Sequence, residues 1–256
     1  MAREARFLSI AEAREASGLR MACLRGIPSP WSEAAKGIFH VKGLDCQYAG
    51  QAESDEDNAV AAWAGDSSVP VVAYRREALR TGWVEILILA ERLAPEPALI
   101  PQDPRDRALC FGLAHEIVGE MGLGWAQRLL ILKGSLDHSG EPGSTNSAAQ
   151  LAGKYGLIPA HVAVAEDRVV EVLGLLDAEL GDEDYFFPGQ LTALDIYWAT
   201  MANLLTPLPE AQLPMGDRMR AVYATRNERI LTALTPRLRA HQERIYQDHL
   251  ELPVPL

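Results

Sequence analysis

Basic residues are in short supply. Lys and Arg total 24 against 35 Asp and Glu, a formal net charge of -11, and no basic run is present. A chain of that sign offers no electrostatic footprint to nucleic acid or to an anionic membrane, so neither is expected as a partner. Cysteine is scarce too: Cys23, Cys46 and Cys110 are odd in number, scattered and set among apolar neighbours. That is the pattern of buried thiols in a reducing compartment, not of a disulfide framework. No pair of cysteines, and no set drawn from His40, His115, His138, His161, His241 and His249, has the spacing of a structural zinc site, so no metal is expected. Long apolar runs are missing as well. The greasiest window, 83–93, is broken by Glu85, Glu91 and Arg92 and is too short to span a bilayer. The start, Met1 to Arg6, is charged and lacks the apolar centre of a secretory signal, so the expected location is the cytoplasm.

What is present is an ordinary globular composition, 48% hydrophobic and 23% charged over 256 residues, enough for one large domain or two modest ones. Residues 1–18 read as an extension in which Ser9-Ile10-Ala11-Glu12 forms a capping box. A strand is expected at 19–24, a helix at 30–41 ended by Gly43, and a second strand at 45–50. A short helix follows at 58–64 and a β-branched strand at 69–74, and a short last strand is expected at 75–79. Pro70 near the start of its strand fits a sheet edge, a strand start or a cis peptide bond. A helix over 81–93 places Trp83, Ile86, Leu87, Ala90 and Leu93 on one face. Four prolines between Ala94 and Pro104 then mark the domain boundary, with 95–104 as linker. From 105 to 256 everything reads as helix. A long stretch at 105–133 is loosened by glycines at 119, 122 and 124, a loop follows at 135–147, and a helical region from 146 to 180 breaks near Pro159. Further helices are expected at 192–205, 218–233 and 236–250.

The chain is organised around Ile27-Pro28-Ser29-Pro30-Trp31-Ser32, where the first strand hands over to the first long helix. Ser before Pro is a helix start: the serine can cap a free N–H, and the proline's missing donor costs nothing in the first turn. A thiolate placed against Ser29 would be stabilised by the hydroxyl and by the helix end together. Both readings stand at this point, a cap alone or a thiolate partner. Trp31, in the first turn, can wall such a pocket or pack inward. Elsewhere His115, Glu116 and Glu120 share one helix face but lack the second histidine of a zinc protease. Trp63, Trp125 and Trp198 read as core.

The order of these elements resembles a cytosolic glutathione transferase over nearly the whole chain after residue 18. Ser29-Pro30-Trp31 is similar to the Ser-Pro-Phe of tau-class members, in which the serine activates the glutathione thiol. It also takes the place of the Cys-Pro-Phe of omega members and glutaredoxins. With Ser29 and Ser32 where glutaredoxins have cysteines, disulfide exchange through this motif is disfavoured. Val69-Pro70-Val71-Val72 matches the family's Val-Pro-Val-Leu, whose proline is cis and whose preceding residue pairs through its main chain with glutathione. Thr192 to Asp195 resembles the Ser/Thr-x-x-Asp capping box that starts the central helix of the second domain, and 83–93 is similar to the helix before the linker.

The resemblance implies a thioredoxin-like α/β domain at 19–94 and an all-helical glutathione-transferase C-terminal domain at 105–256, paired as a homodimer. It implies glutathione as co-substrate, held by Ser29, Trp31, Val69, Pro70, Arg80 and Thr81, and Ser29 as the catalytic residue. A hydrophobic electrophile would lie between Trp31 and the helices of the second domain, near His115 and Trp125, with loop 135–147 as a cover. One departure stands out. The family's Glu-Ser or Gln-Ser before the helix at 83 falls on Thr81-Gly82, or on Arg80-Thr81 with one deletion, and neither count supplies an acid. The glutathione amine would lose a charge-assisted partner worth ~1.5–3 kcal/mol. Arg80 and Thr81 can still hold a carboxylate, and Glu77 can approach from the strand side. Two functions follow as expectations: a transferase, or a binding protein of the same fold that has given up ordinary glutathione recognition.

Overall fold

The run Leu19–Leu24 forms β1, and five of its six residues are buried, as befits a strand with a neighbour on each side. The computed structural model describes residues 7–51, 59–138 and 151–256. Contacts divide the chain into two units: Met1–Ile100 with Pro209–Met215 and Tyr246–Leu256, and Pro101–Leu208 with Gly216–Ile245.

In the first unit β1 lies at the centre of a three-stranded mixed sheet of order β2-β1-β3. β2 (Cys46–Gln51) runs parallel to β1 with Leu19 opposite Cys46, and β3 (Val71–Tyr74) runs antiparallel with Ala22 opposite Val71. The short last strand expected at 75–79 is reduced to an isolated antiparallel bridge between Val72 and Arg80. Its residues instead form a turn, in which Arg75 adopts a φ of 52°.

Helix α1 (Ile10–Glu15) starts at the expected capping box: the Glu12 N–H donates to Ser9 Oγ at 3.1 Å and the Ser9 N–H to Glu12 Oε2 at 2.7 Å. α2 (Pro30–Val41) buries Ala34, Ala35, Ile38 and Phe39, and full burial of a large apolar side chain such as these last two contributes roughly 1.5–3 kcal/mol. α3 (Ala59–Ala64) is short, and α4 (Trp83–Leu93) buries Ile86, Leu87, Leu89 and Ala90. After α2, the ammonium of Lys42 is fully buried and gripped by Glu91 at 2.6 Å and by the carbonyls of Ala94 and Pro97 at 2.7 and 2.8 Å. This cation anchors the linker to the unit, and Leu99 and Ile100 are buried with it.

The regular elements of the second unit, among its described residues, are helices. The long stretch expected at 105–133 is two helices, α5 (Pro104–Val118) and α6 (Leu123–His138). Glycine is required at the break: a Cβ on Gly119 would lie 2.3 Å from His115 Nδ1, and one on Gly122 would lie 2.6 Å from the Glu116 carbonyl. α7 (Pro159–Leu180) follows, then α8 (Ala193–Met201), continued by a 3₁₀ turn over Ala202–Leu204. The expected helix at 218–233 is also two, α9 (Asp217–Tyr223) and α10 (Glu228–Ala233), because Asn227 caps the second by accepting from the N–H groups of Arg229 and Ile230. α11 (Pro236–His249) closes the helical series. No helix among the described residues is long and apolar enough to cross a membrane. Much of the loop expected at 135–147 lies outside the described residues.

Candidate functional site

The register of the sheet decides what comes together. β3 is antiparallel to β1 with Ala22 opposite Val71, so the carboxyl end of β1, from which the chain runs on to Ser29, lies beside Val69-Pro70. The bridge from Val72 to Arg80 then brings Thr81 and Gly82 to the same end of the sheet. Four of the expected contacts, Ser29, Val69, Pro70 and Thr81, thus share one end of the first unit.

Ser29 occupies the N-cap position of α2, with Pro30 in the first turn, but its side chain makes no capping hydrogen bond. Its carbonyl does the local work, accepting from the Glu33 N–H at 2.9 Å. The hydroxyl is therefore not committed to the helix, in contrast to the capping role open to it in the sequence. Ser29 is buried, and Trp31, one residue into the helix, is partly buried. One turn further, Ser32 is buried and its Oγ has no hydrogen-bond partner among the described residues.

The peptide bond between Val69 and Pro70 is cis, the last of the alternatives that the proline left open. Val69 lies just outside β3, and neither its N–H nor its carbonyl pairs with other backbone among the described residues. A peptide-like ligand in extended form can take both groups.

The next segment is differently arranged. Arg80 donates to Glu77 Oε2 at 2.5 Å and to the Ala78 carbonyl at 3.0 Å, and Arg92 reaches the same Glu77 oxygen at 2.6 Å. Hydrogen bonds from Arg92 and then Arg80 hold the Glu77 carboxyl below its usual range. Arg80 thus has a carboxylate already, while Thr81 is exposed. Gly82 is the N-cap of α4, and its N–H donates to Glu85 Oε2 at 3.2 Å.

Beneath the start of α2 lies a charged pair invisible to the sequence. Glu33 and Lys36 are 6% and 4% exposed, with Nζ 3.0 Å from Oε1. Lys36 also donates to the Pro255 carbonyl at 2.8 Å and stands 5.7 Å from the centre of the Tyr48 ring. Burial pushes the Glu33 carboxyl up, against the pull of Lys36. Cys23, fully buried in β1, is pushed up to about 11 by burial, so its thiol is protonated at neutral pH. Of the other candidates, His115 is exposed, Glu116 pairs with Arg168, and Glu120 is exposed. Among the described residues no group of three or more His, Cys, Asp or Glu is placed to hold a metal ion.

Comparison with known proteins places these observations. Residues 159–244 match the family model for the glutathione S-transferase C-terminal domain. No curated protein matches the sequence. Among solved structures, a glutathione transferase family member from Pseudomonas fluorescens Pf-5 with two glutathione bound is 12% identical, with 93% of each chain covered and a TM-score of 0.66. A glutathione S-transferase from Methylobacillus flagellatus KT with GSH bound is 13% identical, over 92% of this chain and 100% of that one, with a TM-score of 0.64. One from Methylobacterium radiotolerans JCM 2831, in complex with glutathione sulfonate, is 17% identical over 91% and 92%, with a TM-score of 0.61. At these identities the likeness is one of fold.

Proposed function

We infer that the chain is a member of the cytosolic glutathione transferase superfamily, from the match of residues 159–244 to the glutathione S-transferase C-terminal domain model and from its fold. From that premise we propose that it is a glutathione transferase whose Ser29 activates the glutathione thiol for attack on a hydrophobic electrophile. The observation that carries this is the Ser29 hydroxyl, held at the start of α2 and not spent on capping it.

Glutathione would supply the thiol nucleophile. Ser29 donates a hydrogen bond to the sulfur as its proton leaves for solvent, and the amino end of α2 adds a favourable dipole, both of which lower a thiol pKa from about 8.5. Val69 pairs through its N–H and carbonyl with the peptide part of the tripeptide, next to Pro70. Trp31 lies along the thiol, and Thr81 with the amino end of α4 receives the γ-glutamyl carboxylate. Arg80, tied to Glu77, contributes charge at this end of the sheet and leaves the carboxylate's direct contact to Thr81. Thiol activation and proximity are the whole of the catalysis asked of the chain. The working form is a homodimer and the location cytoplasmic.

A second reading rests on a specific observation: neither residue 80, 81 nor 82 is an acid, Glu77 on the strand side is shared by two arginines, and Glu85 is taken by the Gly82 N–H. In that reading the fold serves as a binding protein without turnover. Calorimetric titration with glutathione separates the two. A dissociation constant between about 1 μM and a few mM, the range usual for enzyme substrates, supports the transferase. No heat at any of these concentrations would leave the binding protein as the surviving reading.

A further inference from the structure

We propose that the helical unit contains a second binding site, for a small organic monocarboxylate with an apolar or aromatic body, centred on Arg128 of α6 and walled by Tyr155, Tyr223 and Trp125. The site lies within one unit, at the Trp125 beside which the resemblance would put the hydrophobic co-substrate, and its test needs no glutathione.

Arg128 differs from Arg20, Lys36, Lys42 and Arg168 in what answers its charge. Arg20 donates to three carbonyls, those of Ala13, Gly18 and Arg75. Lys36 has Glu33 and a carbonyl, and Lys42 has Glu91 and two carbonyls. Arg168 has Glu116 and the Met121 carbonyl. Arg128 has no carboxylate and no carbonyl among the described residues. Its Nη2 makes one long contact, 3.5 Å to the Tyr223 hydroxyl, its guanidinium lies 5.4 Å from the centre of the Tyr223 ring, and its Nε is buried with no partner. The Tyr155 hydroxyl is its other neighbour. A guanidinium is charged at every pH a protein experiences, and phenol oxygens are neutral acceptors, so among the described residues the charge lacks its counterpart. Buried charges in folded proteins are normally paired.

The surroundings are built for one anion with a flat or greasy body. Trp125, one turn before Arg128 on α6, donates from Nε1 to the Tyr155 carbonyl at 3.1 Å, and its ring meets that of Tyr155 edge-on at 4.7 Å. Tyr155 and Tyr223 are 8% and 1% exposed, while Arg128 itself is only half-buried, so a ligand can reach it past fixed rings. Aromatic walls around a single polar group are the usual make-up of a small-ligand site. The planar fork of a guanidinium matches a carboxylate in bidentate fashion. One positive charge suits a monoanion better than a phosphate dianion. The nearest further arginine on α9, Arg220, already donates to the Leu208 carbonyl at 2.5 Å.

The test is calorimetric titration of the full chain, without glutathione, with cinnamate, cinnamamide and inorganic phosphate. Cinnamate should bind at least about tenfold more tightly than the amide, since a charge-assisted pair is lost, and more tightly than phosphate. Arg128→Met should remove that preference, Arg128→Lys should keep part of it, and Tyr223→Phe should weaken it less than Arg128→Met does. Melting curves establish that each variant is folded, and the comparison of acid with amide uses the natural chain alone. No binding of cinnamate, equal binding of acid and amide, or tighter binding of phosphate would each overturn the proposal. So would a folded Arg128→Met protein that binds cinnamate as the natural chain does.

Discussion

His241 Nε2 lies 3.0 Å from Asp195 Oδ1, and both side chains are fully buried. Asp195 is also the acceptor for the N–H of Phe186 at 3.0 Å and for the N–H and hydroxyl of Thr192, each at 2.8 Å. One carboxylate thus fixes the start of α8, the approach of the preceding loop and the face of α11. The carboxylate is already the acceptor for three other donors, and it accepts from the imidazole as well.

Asp195→Ala strips a partner from all four donors at once, and each buried donor left unsatisfied costs about 1–3 kcal/mol. The variant should lose more than about 3 kcal/mol in denaturant unfolding followed by a probe of the helical unit. An unchanged midpoint would show that water or a rearranged loop replaces the carboxylate.

Ser29→Ala should separate function from stability. Because the side chain makes no capping bond, the usual penalty of ~1 kcal/mol for losing a serine cap should shrink to a few tenths. Glutathione-dependent turnover, read with an electrophile panel, should fall by at least tenfold, the scale of one lost charge-assisted hydrogen bond. The thiolate absorbance of bound glutathione should titrate at higher pH than in the natural protein. Equal turnover in the two proteins would transfer the thiol role elsewhere, with the unpartnered hydroxyl of Ser32 the first place to look.

The residues that sequence reading handled well are those whose partners are local. Ser9 with Glu12, and Thr192 with Asp195, are three positions apart, and α2 begins at the Pro30 that predicted it. Val69-Pro70 and Ser29 were legible as motifs, and the register of β1 with β3 explains why they share one end of the sheet. What escaped has a different character. The division of the helix at 119–122 depends on how closely His115 and Glu116 approach the turn. The tie between Glu77 and both Arg80 and Arg92 depends on the tight turn after β3. The pairing of Asp195 with His241 spans 46 positions and that of Arg128 with Tyr223 spans 95. No hydrophobic period or turn signal encodes which distant polar groups meet, because that is settled only when the elements pack.

Lys36→Met should be costly alone and mild in company. Alone it leaves the Glu33 carboxylate buried without its cation, and breaking a buried pair this way typically costs about 3–5 kcal/mol. Combined with Glu33→Gln, most of that loss should return. A double-mutant cycle by denaturant unfolding measures the difference, and additive single effects would show that the pair does not act as one.

Stability should fall as pH rises above about 8.5, and Cys23 should contribute to the fall. Its thiol is pushed up to about 11 by burial, against about 8.5 in an unfolded chain. The folded form therefore holds its proton more tightly. The contribution is complete below about 8.5 and is lost as pH climbs towards 11. Melting temperature against pH over this window should be flatter for Cys23→Ala than for the natural chain, and parallel curves would remove Cys23 from the account.

The carbonyl that Lys36 grips belongs to Pro255, 219 positions later in the chain. During synthesis the lysine leaves the ribosome well before its acceptor, with the helical unit made in between. The α/β unit is thus topologically open until residues 246–256 return to it. Cutting the gene at the proline linker would not yield two independent modules: the N-terminal fragment would carry a buried ammonium short of one of its two oxygen partners. The order in which the chain is made and the order in which its first unit is completed are different: residues made after the helical unit complete the unit made before it.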